Sequence, residues 1–95
     1  MDKEKVVLSD GYEVEVDKEY LDDWDFLETL TRIDKGESGL IVDVLPLMLG
    51  AKQFEALKKH YRDKNGKLKA TKMIEVMGEI IEGSKSLKNF STSSE

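Results

Sequence analysis

The chain has 95 residues, of which 37% are charged and none is cysteine, and its formal net charge is −5. This length fits one domain with a modest core, and the lack of cysteine excludes a disulfide framework and a thiolate metal site. The N-terminal residues MDKEKVVL lack the long apolar core of a signal peptide, and no apolar run approaches the roughly 20 residues of a membrane helix. We therefore expect a soluble cytoplasmic protein.

The charge is unevenly distributed along the chain. Residues 1–57 carry 15 acidic and 6 basic side chains, whereas residues 58–72 carry 7 basic side chains and one acid, Asp63. A net acidic domain repels nucleic acid, because contacts to phosphates drive most such binding, so no nucleic-acid partner is expected. The basic stretch is expected to be a solvated surface, with an acidic partner or a second copy's acidic half as the alternative.

The first predicted element is a β-hairpin. Its strands are Lys5–Leu8 and Tyr12–Val16, and Ser9-Asp10-Gly11 separates them. A two-residue loop would mix apolar and charged side chains on each face, whereas a three-residue loop pairs Leu8 with Tyr12 and Val6 with Val14. The second register is predicted, with Gly11 in the left-handed conformation. A lone ribbon is marginal in water, so its apolar face must rest on the helices or on a neighbouring chain.

A helix is predicted next, from a cap at Asp22 or Asp23 to about Asp34. Asp17–Tyr20 forms a turn that leads into it, and acidic residues in the first turn suit the helix dipole. Its apolar side chains recur at spacings of three and four, namely Trp24, Leu27, Leu30 and Ile33, joined by Phe26. Gly36 is predicted to end this helix.

The most apolar part of the chain runs from Leu40 to Leu49, with eight apolar residues in ten. A buried strand and a helix both fit, and the leucine and methionine of its second half favour a helix that Ser38 or Gly39 begins. Pro46 has no amide hydrogen, so either the segment bends at Pro46 or Pro46 lies in the first turn of a short helix. Most of the segment is expected in the core, with its second half at the edge of a groove.

Two further helices are predicted after Gly50, separated by a turn at Asp63–Gly66. The first carries the stripe Ala51, Phe54, Leu57 and Tyr61. Thr71 is predicted to cap the second, which ends at Gly83. Its stripe is Met73, Ile74, Met77, Ile80 and Ile81. Together these elements predict a single α+β, mainly α domain over residues 1–83, in which a two-stranded hairpin precedes about four short helices. The serine-rich residues 84–95 are predicted to form a flexible tail.

The chain offers little for catalysis or metal binding. Aligning Gly66 with the sixth position of a calcium loop puts Tyr61 and Lys72 where carboxylates are needed, which excludes such a loop. His60, the only histidine, has no further ligand at metal-binding spacing. The acidic triplet at residues 22–25 diverges around a helix and is explained by capping. We expect a non-enzyme with no catalytic residue, no cofactor and no metal.

The order of these features resembles the small tail assembly chaperones of long-tailed (siphovirus-like) phages and prophages of Gram-positive bacteria. The similarity covers about residues 5–83 and includes the blocks EVDKEYLDDWDFLETLTRID, LPLMLG and QFEALKKHYRDKNGKL. The matching positions are Leu21, Asp22, Phe26, Leu27, Leu49, Gly50, Phe54, Leu57, Arg62, Asp63 and Gly66. Pro46 departs from the family's pattern and leaves the helix boundaries around it open.

The resemblance implies a function in binding, without turnover. Such chaperones coat the long, helical tape measure protein in the bacterial host cytoplasm and keep it soluble until the tail tube polymerises. The expected partner is the tape measure protein, with the major tail protein and further copies of the chain as additional candidates, and with no membrane. A helical client exposes apolar stripes that an apolar groove can cover. The residues predicted to include this groove are Trp24, Phe26, Leu45, Leu47, Met48 and Leu49.

A second class of protein also fits the acidic composition. A small acidic phage-type regulator or inhibitor would mimic nucleic acid or block a host protein. It would bind through its acidic side chains rather than through the apolar segment, and the candidates are Asp22, Asp23, Asp25 and Glu28. Salt screens surface charge pairs, so binding that is lost at high salt favours the regulator and binding that survives favours the chaperone.

Overall fold

The computed structural model describes residues 3–85, which form an α+β fold that is mainly helical, as predicted. The elements are β1 (Lys3–Val7), β2 (Glu13–Asp17), α1 (Lys18–Leu21), α2 (Trp24–Asp34), a 3-10 turn (Ser38–Leu40), α3 (Ile41–Leu49), α4 (Ala51–Tyr61) and α5 (Ala70–Gly83). The turn predicted after the hairpin is the one-turn helix α1, so five α-helices follow the hairpin within the described residues.

The hairpin has the predicted register. Val6 pairs with Val14, and the amide of Leu8 donates to the carbonyl of Tyr12 at 2.8 Å across the three-residue loop. Gly11 has φ 92°, the left-handed conformation that glycine adopts without steric cost. Because side chains alternate along a strand, the apolar ones share a face, and four of them are buried: Val6, Leu8, Val14 and Val16. This face rests on the helices of the same chain.

Both predicted ends of α2 are confirmed. The side chain of Asp23 accepts a hydrogen bond from the amide of Phe26 at 3.0 Å and caps the first turn. At the other end the Gly36 amide donates to Ile33 and the Glu37 amide donates to Arg32, each at 3.0 Å. This pair of bonds around a left-handed glycine is a Schellman motif, which satisfies the last carbonyls of the helix.

Helix α3 confirms the helical prediction for the apolar segment and places Pro46 in its interior. The alternative that put Pro46 in the first turn of a short helix is therefore wrong. An interior proline cannot donate to the carbonyl four residues earlier, which here belongs to Val42. Val42 is 73% exposed, so the missing bond falls on the side of α3 that water can reach.

The core lies between the apolar face of the hairpin and the inner sides of the helices. The largest share comes from α3, which contributes Ile41, Val44, Leu45, Met48 and Leu49. Helix α3 contacts β2 and each of the four other helices. The remaining buried apolar residues are Leu21, Phe26, Leu57, Val76, Met77 and Ile80. One short apolar helix therefore forms the centre of the packing.

Helix α5 differs from its prediction in two respects. It begins at Ala70, and Thr71 lies inside its first turn, so the prediction that Thr71 caps this helix is wrong. Val76 is 1% exposed and Ile74 is 46% exposed, which reverses their expected positions. The helix is turned toward Val76 because its last turn packs against β1, where Gly83 lies against the side chain of Val6.

The packed region continues slightly beyond the predicted boundary at residue 83. Ser84 is buried, its hydroxyl donates to Glu4 at 2.9 Å, and the amide of Lys85 donates to the same carboxylate at 2.7 Å. The first two residues of the predicted tail are therefore attached to β1. The rest of the predicted tail, residues 86–95, lies outside the described residues.

Two glycines of α5 provide a matched pair of stability tests. A methyl group at Gly83 would lie 2.8 Å from Cγ1 of the buried Val6, whereas nothing lies within 4 Å of one at Gly78. We expect Gly83→Ala to lower the free energy of unfolding by about 1–3 kcal/mol through overpacking. Gly78→Ala should raise it by about 0.5–1 kcal/mol, because alanine favours the helix. Denaturant titration followed by circular dichroism measures both, and changes of equal sign would contradict this packing of α5.

Candidate partner-binding surface

The structure divides the six residues predicted to bind a partner into two groups. Four of them are core residues with exposures of 1–3%, namely Phe26, Leu45, Met48 and Leu49. The three of these in α3 follow Ile41 and Val44 at helical spacing and so share the inner side of the helix. The prediction that they line an open groove is not met by this structure. Trp24 and Leu47 are 70% and 61% exposed and remain available to a partner.

The outer side of α3 is mostly apolar. Val42 and Leu47 are exposed and Pro46 between them is partly buried, while Asp43, the only charged residue of the helix, is exposed on the same side. Single exposed apolar side chains are common, but a row of them opposite a buried row is a candidate contact surface. We call Val42, Pro46 and Leu47 the outer α3 surface. Val42 was missed from the sequence, because its spacing of three residues from Leu45 also suits the inner side of the helix.

Trp24 is the other exposed apolar group among the predicted residues. It is the first residue of α2, and its indole nitrogen donates to a carboxylate oxygen of Glu28 at 2.8 Å. This bond holds the ring along the surface of the helix while leaving its apolar faces accessible. Tryptophan is enriched where interfaces gain most of their binding energy, so Trp24 is a second candidate contact.

The acidic residues that the alternative function would use have local roles in part. Asp23 is the cap of α2, and Glu28 accepts the bond from Trp24. Asp22 and Asp25 are exposed, and Asp25 lies in the first turn of α2, where a negative charge suits the helix dipole. These roles reduce the acidic surface that is free for an external partner.

A polar cluster joins the tip of the hairpin to α4. Oδ2 of Asp10 lies 3.0 Å from Nε2 of His60, and the hydroxyl of Tyr61 donates to Oδ1 of Asp10 at 3.1 Å. The ring of Tyr12 stacks on the ring of His60 with 4.2 Å between their centroids. We call these four residues the tip clamp. Sequence reasoning missed this cluster, because its two halves are about 50 residues apart in the chain.

The protonation states of the tip clamp suit a structural role. The hydrogen bond with His60 and the backbone amide of Tyr12 lower the pKa of Asp10 from 3.8 to about 2. Burial, together with the bond to Asp10, raises the pKa of Tyr61. At neutral pH Asp10 is therefore a carboxylate and Tyr61 a neutral phenol. Neither group has the pKa near 7 that favours proton transfer in catalysis.

Other chemical features are sparse in the part of the chain that the structure covers. No group of three histidine, aspartate or glutamate side chains there is arranged to hold a metal ion. None of the helices between residues 3 and 85 combines the length and the apolar character that crossing a bilayer requires. The exposed large apolar side chains of this part of the chain are Val7, Trp24, Val42, Leu47 and Ile74, and three of them lie on α2 and α3.

Comparison of the chain with protein-family models, with curated proteins and with solved structures found no match. The similarity to tail assembly chaperones is therefore a resemblance in sequence pattern alone.

Two leucines of α3, two residues apart, test the division between core and surface. Leu45 is 2% exposed and Leu47 is 61% exposed. We expect Leu45→Asp to unfold the domain, because it places an unpaired carboxylate in the core at a cost above about 4 kcal/mol. Leu47→Asp, with the same change in charge, should alter the free energy of unfolding by less than about 1 kcal/mol. Thermal unfolding of both variants measures this, and similar losses of stability would contradict the orientation of α3.

The tip clamp predicts a specific dependence of stability on pH. The pKa of Asp10 is lower in the folded protein than its ordinary value of 3.8, so its contribution is complete above about pH 4 and is lost as the pH falls toward 2. Asp10→Asn should lower the melting temperature at pH 6, and its difference from the unaltered protein should vanish near pH 2.

Melting curves between pH 2 and pH 6 measure this effect. Asp34→Asn is the matched control, because the side chain of Asp34 accepts no hydrogen bond from any residue between 3 and 85. If the melting temperatures of the Asp10→Asn and Asp34→Asn variants depend on pH in the same way, Asp10 does not stabilise the hairpin tip.

Proposed function

We propose that this protein is a tail assembly chaperone of a long-tailed phage or prophage of Gram-positive bacteria. It binds the tape measure protein in the host cytoplasm and keeps it soluble until the tail tube polymerises. The observation that best supports this function is the outer α3 surface, since a helix that fills the core with one side leaves Val42 and Leu47 exposed on the other. The resemblance in sequence pattern supports the choice of client.

The mode of action is binding without chemical turnover. An unassembled helical client exposes rows of apolar side chains, and packing such a row against the outer α3 surface removes both from water. Burial of apolar area contributes roughly 25 cal/mol per Å², so three side chains on one copy give only weak binding. Several copies arranged along one client would act together, and each copy could still leave when tube subunits arrive.

The charge of the chain is compatible with this role. A net charge of −5 on 95 residues opposes association of the loaded complexes with one another. The acidic regulator has less support as an alternative, because Asp23 and Glu28 already serve as the cap of α2 and the partner of Trp24.

Co-expression with a tagged helical fragment of a tape measure protein, followed by affinity capture, tests the proposal. We expect the unaltered chain to be retained, and Trp24→Ala and Leu47→Asp each to reduce retention by at least fivefold. Such a loss corresponds to about 1 kcal/mol or more per residue, as expected for contact residues. Ile74→Asp, at an exposed apolar position on α5, is the control that should leave retention unchanged.

Two results would count against the proposal. Folded Trp24→Ala and Leu47→Asp variants that are retained like the unaltered chain would exclude these residues from the contact. Retention that disappears in molar salt would favour the acidic regulator, because apolar contacts survive salt and exposed ion pairs do not.

A further inference from the structure

The outer edge of β2 is closed by a side chain of α4. In an antiparallel pair, successive residues point their backbone groups alternately toward and away from the partner strand. Gln53 accepts from the amide of Glu15 at 2.7 Å and donates to the carbonyl of Glu15 at 2.7 Å. The backbone amide and carbonyl of Glu15 therefore point away from β1. Those of its cross-strand neighbour Lys5 point away from β2.

Within residues 3–85, the central part of the outer edge of β1 has no backbone partner. By the same alternation the backbone groups of Lys5, Val7 and Ser9 all point away from β2. The amide of Ser9 donates to Glu79 of α5 at 2.8 Å. No residue between 3 and 85 supplies a hydrogen-bond partner for the amides or carbonyls of Lys5 and Val7. An open edge of this kind is a template for another strand.

A shallow groove runs between this open edge and α5. Its strand side includes Val7 and Ser9, and its helix side carries three acidic residues, Glu75, Glu79 and Glu82. Glu79 accepts hydrogen bonds from Ser9. Glu75 forms a surface ion pair with Lys72 at 3.6 Å, so a basic peptide would share or replace these contacts. Gly78 also lines the groove, and no atom occupies the space where its side chain would be. A backbone can therefore approach α5 closely at this point, beside carboxylates on successive turns.

We propose that β1 binds an extended segment of another protein as a third strand, and that this segment has lysine or arginine at alternate positions facing α5. Backbone bonds to Lys5 and Val7 would supply affinity, and the carboxylates of α5 would supply specificity. Alternate residues of a strand are about 6.8 Å apart and successive turns of a helix about 5.4 Å, so two basic side chains can each meet a glutamate.

A second copy of this chain is a poorer occupant of the groove. Two copies joined by their β1 edges about a two-fold axis would bring the acidic sides of both α5 helices toward each other. The carboxylates of the two α5 helices would then repel each other. Lys5 of β1 could not neutralise them, because its side chain lies on the opposite face of the sheet from the buried Val6. The groove uses none of the residues of the outer α3 surface, so this inference does not depend on the proposed function.

Titration of the full isotope-labelled chain with a capped seven-residue peptide tests the proposal by nuclear magnetic resonance. The peptide has lysine at its second, fourth and sixth positions, valine between them and glycine at both ends. We expect chemical-shift changes at the amides of Lys5 and Val7, and hydrogen exchange of both amides slowed at least tenfold in the complex. A peptide with N-methylated valines keeps the charge but cannot pair as a strand, and it should not bind.

Three variants separate the parts of the site. Val7→Pro removes one of the open amides at an edge position that tolerates proline, and it should abolish binding. Glu82→Lys should raise the dissociation constant at least fivefold. Glu19→Lys, which makes the same change in charge on α1, should raise it less than twofold. Proton spectra of each variant confirm that it is folded.

Each of the following results would overturn the proposal. The N-methylated peptide binds as well as the unmethylated one, or the lysine peptide does not bind at about 1 mM. Glu82→Lys and Glu19→Lys weaken binding equally, which indicates non-specific attraction. The amides of Lys5 and Val7 are already protected without peptide, which means that the chain itself or a second copy covers the edge.

Discussion

The inner side of α3 is the contact on which the other elements depend. This nine-residue helix meets β2 and each of the other helices, which have few contacts among themselves. Its inner residues can fill the core only because they recur at spacings of three and four. Val42 and Leu47 of the same helix are exposed. Neither side chain is needed to fill the core, and both belong to the surface that we propose binds a client.

Local features of the fold could be predicted from the sequence because local chemistry determines them. The register of the hairpin follows from matching Val6 with Val14 across a three-residue loop that ends in Gly11. The ends of α2 follow from the cap at Asp23 and the left-handed Gly36. For the hairpin and for α2, a single register or boundary both buries the apolar side chains and satisfies the backbone hydrogen bonds. Few other local structures are therefore compatible with the sequence.

The features that could not be predicted depend on distant parts of the chain. Periodicity alone does not determine the rotation of α5, because Ile74 and Val76 both fit a stripe until Gly83 is placed against β1. The tip clamp and the bond from Gln53 to β2 join residues 38 to 51 positions apart. Helix α3 has apolar residues on all sides, so the sequence pattern did not show which of them face outward.

The attachment of β1 to the last helix also determines when the fold can form during synthesis. Val6, Ser9 and Glu4 at one end of the described chain are held by Gly83, Glu79 and Ser84 at the other. Closing so long a loop is slow and must precede the contacts that stabilise it. While the ribosome still holds α5, the hairpin can pack on α3 and bond to α4, but β1 lacks its contacts with Gly83, Glu79 and Ser84. The nascent chain therefore completes its core only after α5 has emerged, because Val76, Met77 and Ile80 are part of that core.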